Sequence, residues 1–122
     1  MPENIDSNNK LAKFAAEFVK PLLIDMSQSF LQDYYHEKPY DFFHCPYTAP
    51  ILAHLAKREM EKRECEYRLT SKLRINYKGE TIRLYETIIW LKDYSTFTKE
   101  DENEYIALWI TIKEAILKEK NA

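Results

Sequence analysis

The residues best suited to chemistry lie between positions 36 and 65, where all three histidines and both cysteines of the chain occur. Asp33-x-x-His36 and Asp41-x-x-His44 share one spacing, which on a helix would place a carboxylate and an imidazole on the same face. Such pairs from facing helices hold di-metal centres in helical bundles. The metal candidates are therefore Asp33, His36, Asp41 and His44, with His54 and Cys65 as optional further ligands.

Two features count against this metal hypothesis. The second pair falls in a loop broken by Pro39 and Pro46, and aspartate stands where bundle sites use glutamate. We therefore expect no metal and no other cofactor. A small metal-dependent helical enzyme or a metal sensor is kept as the alternative function.

The thiols give no better support for catalysis. Cys45 follows His44 directly, but neighbouring side chains on an extended chain point apart, and no helix start or cation is evident to activate the thiol. The single glycine, Gly79, excludes phosphate-binding loops and nucleophile elbows, which need several. It also argues against a fold rich in strands, because tight hairpin turns favour glycine. We expect the chain not to be an enzyme.

The segment 34–47 is dense in rings, since six of its fourteen residues are Tyr or Phe. Connecting segments are usually polar, so such rings either close a core or bind a partner. Interfaces favour large rings, because these bury much area while few torsions are frozen. The predicted partner-binding residues are Tyr40, Phe42, Phe43 and Tyr47, and the alternative is that Phe42 and Phe43 plug the core.

Composition bounds the class of protein. The 122 residues are enough for one domain over 1–122, and a net charge of −2 from 18 basic and 20 acidic residues gives no general basic field. Nucleic acid is thus disfavoured; binding through Lys57, Arg58, Lys62, Arg63, Arg68, Lys72 and Arg74 would require the interleaved acids to point elsewhere. No apolar run could span a bilayer and no secretory signal is evident, so we expect a cytoplasmic protein without membrane contact.

Apolar spacing predicts four helices. The first runs from about Asn8 to Tyr35, and Pro21 predicts a kink or a break near Val19-Lys20, with two shorter helices as the alternative. The second begins at Thr48 with Pro50 in its first turn. The third covers about 81–94, and the fourth begins at a Thr98 cap. Residues 69–85 also fit a short hairpin, because apolar residues alternate around Gly79.

The sequence therefore predicts an all-α, irregular four-helix bundle closed by an aromatic, proline-rich loop, with a small hairpin around 69–85 as the alternative there. By exclusion, we expect a small non-catalytic protein-binding module of the inhibitor, immunity, antitoxin or adaptor type, acting through the aromatic loop. The partner is another protein, and a homodimer would fit the ring cluster equally well.

Overall fold

The computed structural model of the chain describes residues 2–19, 21, 43–44 and 48–121. In chain order these residues form helices α1 (Pro2–Val19) and α2 (Thr48–Lys62), strands β1 (Glu66–Ile75), β2 (Thr81–Trp90) and β3 (Thr96–Asp101), and helix α3 (Glu104–Asn121). The described part is thus an α+β fold with a three-stranded antiparallel sheet. The prediction of an all-α four-helix bundle is wrong.

The chain divides into two compact units, residues 1–59 and residues 60–122. A single domain over 1–122 stays a prediction. In the first unit, α1 begins at Pro2 rather than at Asn8, and it ends at Val19, where the kink or break was predicted. Its buried side chains recur at helical spacing, and they are Leu11, Ala12, Ala15 and Val19. The rest of the predicted first helix, 22–35, lies outside the described residues.

Helix α2 begins at Thr48 with Pro50 in its first turn, as predicted. At its other end the backbone N–H of Cys65 donates to the carbonyl of Met60 (3.0 Å), and that of Glu64 donates to Glu61 (3.0 Å). This is a Schellman cap, in which the residue after the helix takes a left-handed conformation. Glu64 has a φ of 62°, so a glutamate occupies a position where glycine is usual.

The sheet belongs to the second unit, with β2 between β1 and β3. The predicted helix over 81–94 is wrong, because residues 81–90 form the central strand; the hairpin alternative is confirmed, with strands longer than 69–85. β2 is rich in β-branched and aromatic residues, which fit a pleated surface. Apolar residues on both of its faces obscured the alternation, and their spacing then resembled that of a helix.

The two hairpin loops have the same hydrogen-bonding pattern. Asn76 N–H donates to Glu80 and Gly79 N–H donates to Asn76, while Leu91 N–H donates to Ser95 and Tyr94 N–H donates to Leu91. The residue at the left-handed position is Gly79 (φ 81°) in the first loop and Tyr94 (φ 69°) in the second. The scarcity of glycine had argued against strands, but a tyrosine takes the place of a second glycine.

Helix α3 begins at Glu104, so the predicted start at Thr98 is wrong; Thr98 lies in β3. The cap is Asn103, whose side-chain oxygen accepts hydrogen bonds from the backbone N–H of Tyr105 (2.8 Å) and Ile106 (3.1 Å). The helix packs on β2 and β3. Its wide apolar face is confirmed by the burial of Ile106, Ala107, Leu108, Trp109, Ile112, Ala115 and Ile116. Among the described helices, none combines the length and apolar character needed to cross a membrane.

Candidate functional site

The predicted aromatic surface is described at one ring only. Phe43 lies in a turn and is 1% exposed, so this ring is buried as the core-plug alternative requires. Tyr40, Phe42 and Tyr47 lie outside the described residues. The aromatic loop as a binding surface therefore stays a prediction.

The predicted metal ligands are likewise described only in part. Asp33, His36 and Asp41 lie outside the described residues, whereas His44 and His54 are exposed. Within the residues that the structure describes, no three His, Cys, Asp or Glu side chains are grouped to hold a metal ion. No described arrangement supports the metal alternative.

The thiol of Cys65 is buried just beyond α2. Burial raises the pKa of this thiol, with a further increase from the charge of Glu119. A thiol with a raised pKa is mostly protonated at neutral pH and is a poor nucleophile. Cys65 is therefore a packing residue.

The sheet has one face covered by helix α3. Thr87 and Ile89 of β2 are buried on this face, and Lys99 Nζ of β3 lies 3.2 Å from Glu114 Oε1 of the helix. The register places the odd-numbered residues of β1 on the same face, because Leu69 lies opposite Thr87. Odd-numbered positions of all three strands thus face the helix side.

Strand β1 exposes apolar side chains on this helix side. Leu69 is 41% exposed, Leu73 60% and Ile75 75%. We call these three residues the apolar row. Since α3 packs on β2 and β3, the row lies along the strand at the margin of the helix-covered face. Tyr77, in the following turn, adds a ring that is 92% exposed.

Within the described residues, no strand pairs with β1 on its side facing away from β2, and we call this side the open edge. Asn76 forms a hydrogen-bonded pair with Glu80 (N to O, 2.9 Å), and such pairs alternate along an antiparallel ladder. Even-numbered residues of β1 therefore bond to β2. The odd-numbered residues direct N–H and C=O groups to the open edge, at Tyr67, Leu69, Ser71, Leu73 and Ile75.

The opposite face of β1 is basic. Lys72 Nζ lies 3.3 Å from Glu86 Oε2 and 2.6 Å from Glu100 Oε1, so one ammonium connects all three strands. The hydrogen bond with Glu100 raises the pKa of Lys72, and the same contact lowers the pKa of Glu100. The guanidinium of Arg68 lies 5.9 Å from the ring centroid of Trp90. With Arg74, these side chains form what we call the basic row: Arg68, Lys72 and Arg74.

The other edge of the sheet differs from the open edge of β1. β3 has six residues, and three of them, Lys99, Glu100 and Asp101, are charged. Short and charged edge strands resist pairing with further strands. β1 has ten residues with exposed leucine and isoleucine side chains, so it is the edge better suited to accept another strand.

A shallow cleft of about 470 Å³ lies at the end of β2. Lys92 pairs with Glu64 beside it, and this pairing lowers the pKa of the Glu64 carboxyl. The lining contains neither a thiol nor an imidazole, so it offers no nucleophile and base pair. The lining residues are Glu64, Glu66, Trp90, Leu91, Lys92 and Tyr94.

No protein-family model, curated protein or solved structure matches this chain. The candidate site therefore depends on geometry alone. That site is the open edge of β1, which the sequence prediction missed. The sequence did contain a signal for this edge: from residue 67 to residue 75, apolar residues or serine at odd positions alternate with basic residues or threonine at even positions.

Proposed function

We propose that the chain is a small non-catalytic protein-binding module, of the kind that inhibitors, immunity proteins, antitoxins and adaptors represent. It binds its partner by adding an extended segment of that partner to the open edge of β1. The observation that carries this proposal is the coincidence of outward backbone groups with the apolar row on one ten-residue strand.

Strand addition uses two kinds of interaction, and β1 offers both. The outward N–H and C=O groups supply main-chain hydrogen bonds, and alternate side chains supply specificity. Complete burial of a leucine or isoleucine side chain contributes roughly 1.5–3 kcal/mol. Leu73 and Ile75 are 60% and 75% exposed, so the exposed share of this contribution is the upper limit of what a partner strand would gain at each of them.

The aromatic loop is a second candidate surface for the same function. Tyr40 and Tyr47 remain its predicted binding residues, because a tyrosine ring can present a polar end to a partner. A partner could therefore be bound at the edge, at the loop or at both, and the experiment must separate these surfaces.

The test is affinity capture of partners from the source cell with four forms of the chain. Ser71→Pro removes one outward N–H, and edge strands tolerate proline at positions that do not donate to the ladder. Ser71→Ala is the matched control, because it removes the same hydroxyl, which accepts a hydrogen bond from Arg83, and retains the N–H. The fourth form, Tyr40→Ser/Tyr47→Ser, tests the loop. All forms must first show the same circular dichroism spectrum and cooperative unfolding.

The proposal expects a stoichiometric protein with wild type and with Ser71→Ala, and its loss with Ser71→Pro. Loss with the double tyrosine variant alone would move the binding surface to the aromatic loop. Absence of any stoichiometric protein with wild type would refute the protein-binding function itself.

A further inference from the structure

We infer that the strand bound at the open edge of β1 alternates apolar and acidic residues. This inference rests on the proposed function and names the chemistry of its partner. Side chains of adjacent strands meet on the same face at facing positions. A bound strand would therefore present one set of side chains to the apolar row and the other set to the basic row.

The apolar requirement follows from exposure. Leu69, Leu73 and Ile75 all lie on the helix side of the sheet, so alternate residues of the added strand face this row, which Ser71 interrupts between Leu69 and Leu73. Apolar side chains at these positions of the bound strand would continue the apolar surface of the helix side from β1 onto the added strand. Charged side chains at those positions would lose hydration beside apolar neighbours. The charged residue paired with the row is Arg83, opposite Leu73, and its guanidinium donates a hydrogen bond to Ser71 Oγ (3.0 Å).

The acidic requirement follows from charge. Residues 66–84, the hairpin of β1 and the start of β2, contain five Lys or Arg and two Glu, although the whole chain has a net charge of −2. The basic row places Arg68, Lys72 and Arg74 on one face of the edge strand. Opposite charges at facing positions stabilise strand pairing and like charges destabilise it.

The basic row also disfavours a second copy of this chain as the source of the strand bound at the open edge. The antiparallel register that pairs the two Ser71 residues would set Leu69 opposite Leu73, which suits the apolar row. It would also set each Arg68 opposite an Arg74 of the other copy, and this occurs twice in a symmetric pair. The two arginine pairs oppose self-association in this register, whereas an acidic strand would meet opposite charges at the same positions.

Nucleic acid is the alternative ligand for a basic surface. Lys72 contacts the carboxylates of Glu86 and Glu100 on β2 and β3, so a nucleic acid lying across this face would meet these acids, whereas a strand at the open edge lies beside β1 and farther from them. The apolar row also has no role in binding a phosphate backbone. These observations favour an acidic polypeptide strand.

The test measures binding of fluorescein-labelled peptides by fluorescence anisotropy to the full chain. One peptide alternates valine and glutamate over eight residues, a second alternates valine and lysine, and a third has the composition of the first with its four valines together. A labelled single-stranded oligonucleotide represents nucleic acid. The protein forms are wild type, Arg68→Glu/Arg74→Glu, and Lys113→Glu/Lys118→Glu, which makes the same charge change on α3.

We expect the valine–glutamate peptide to bind wild type about tenfold more tightly than the valine–lysine peptide, since two or three facing charge pairs change sign. The block peptide should bind more weakly than the alternating one. Arg68→Glu/Arg74→Glu should reverse the preference, and the α3 variant should retain it.

Equal binding of the two alternating peptides, tighter binding of the oligonucleotide, or an unchanged preference in Arg68→Glu/Arg74→Glu would overturn the inference. The absence of binding by every peptide would overturn it as well. None of these results removes the proposed function, because a partner captured by wild type and lost with Ser71→Pro would still establish the edge as a binding surface. Failure of that capture refutes the function independently of the peptides.

Discussion

Tyr94 occupies a left-handed backbone position that favours glycine, and replacing it should stabilise the fold. Its φ is 69°, and the equivalent residue of the other hairpin loop is Gly79 with a φ of 81°. The left-handed conformation costs a residue with a side chain roughly 1–2 kcal/mol. The substitution Tyr94→Gly removes this cost.

Two smaller terms oppose the gain. Glycine gives the unfolded chain more freedom, which lowers stability by about 0.4–1 kcal/mol. The ring of Tyr94 is 87% exposed, so its removal forfeits only a small part of the roughly 2 kcal/mol that a fully buried large side chain would contribute. The expected net change in the free energy of unfolding is an increase of about 0.5–1 kcal/mol for Tyr94→Gly.

The first hairpin supplies the reciprocal experiment. A Cβ placed on Gly79 would meet no atom within 4 Å, so Gly79→Ala has a cost from backbone conformation and none from a clash. It should destabilise the fold by about 0.5–1 kcal/mol. Tyr94→Asn is a further control with an intermediate result, because asparagine tolerates this conformation better than other residues with a side chain.

The assay is equilibrium urea unfolding monitored by far-ultraviolet circular dichroism. The slope of the free energy of unfolding against urea concentration should be the same in all variants, which shows that only stability has changed. Opposite shifts of the midpoint for Tyr94→Gly and Gly79→Ala are expected. Destabilisation by Tyr94→Gly would refute the reasoning, because it would mean that the ring contributes more than the backbone strain costs.

Three further predictions concern a cap, an ion pair and a thiol. Asn103→Ala removes the acceptor that caps α3 and should cost about 1 kcal/mol in urea unfolding, whereas Asn103→Asp should retain most of it; equal loss in both would contradict a capping role. The pKa of Glu100 is lowered by Lys72, so its stabilising effect is present above the ordinary value of 4.5 and is lost as the pH falls through the lowered value. Acid unfolding curves should show this loss in wild type and less of it in Lys72→Met, and identical curves would argue against it. In a Cys45→Ser background, Cys65 should react slowly with iodoacetamide in the native protein and rapidly in urea, and fast native reaction would contradict its burial.

The sequence predicted helices well where a proline or an apolar period marks them, and it failed where both faces of a strand are apolar. The start of α2 at Thr48 and the wide apolar face of α3 were correctly predicted. The strand β2 was predicted as a helix, because Ile82, Ile88 and Ile89 satisfy helical spacing as well as strand pairing. The spacing of apolar residues alone cannot distinguish a helix from a strand that lies in the centre of its sheet.

Glycine scarcity was the second source of error. A single glycine argues against hairpins, but the turn between β2 and β3 places Tyr94 at the left-handed position, and Asp93 Oδ1 accepts a hydrogen bond from Ser95 N–H there. Local hydrogen bonds thus support a turn that composition had disfavoured. This turn leads into strand β3, so Thr98 pairs with β2 and is not a cap, and α3 begins at Glu104.

The candidate site was missed for a related reason. The predicted surface was the aromatic loop, because its composition is unusual for a connecting segment. An open sheet edge depends on strand order, which residue types alone do not reveal. Once β1 is known to be terminal in the described sheet, the alternation of Leu69, Leu73 and Ile75 with the basic row becomes informative.

Amide hydrogen exchange along β1, with and without the captured partner, tests the binding edge most directly. In the unbound chain, even-numbered amides of β1 should exchange slowly because they bond to β2, and odd-numbered amides should exchange quickly. The proposal expects the partner to slow the odd-numbered amides selectively, at Tyr67, Leu69, Ser71, Leu73 and Ile75. Unchanged exchange at these five amides in a complex that has formed would contradict strand addition at β1.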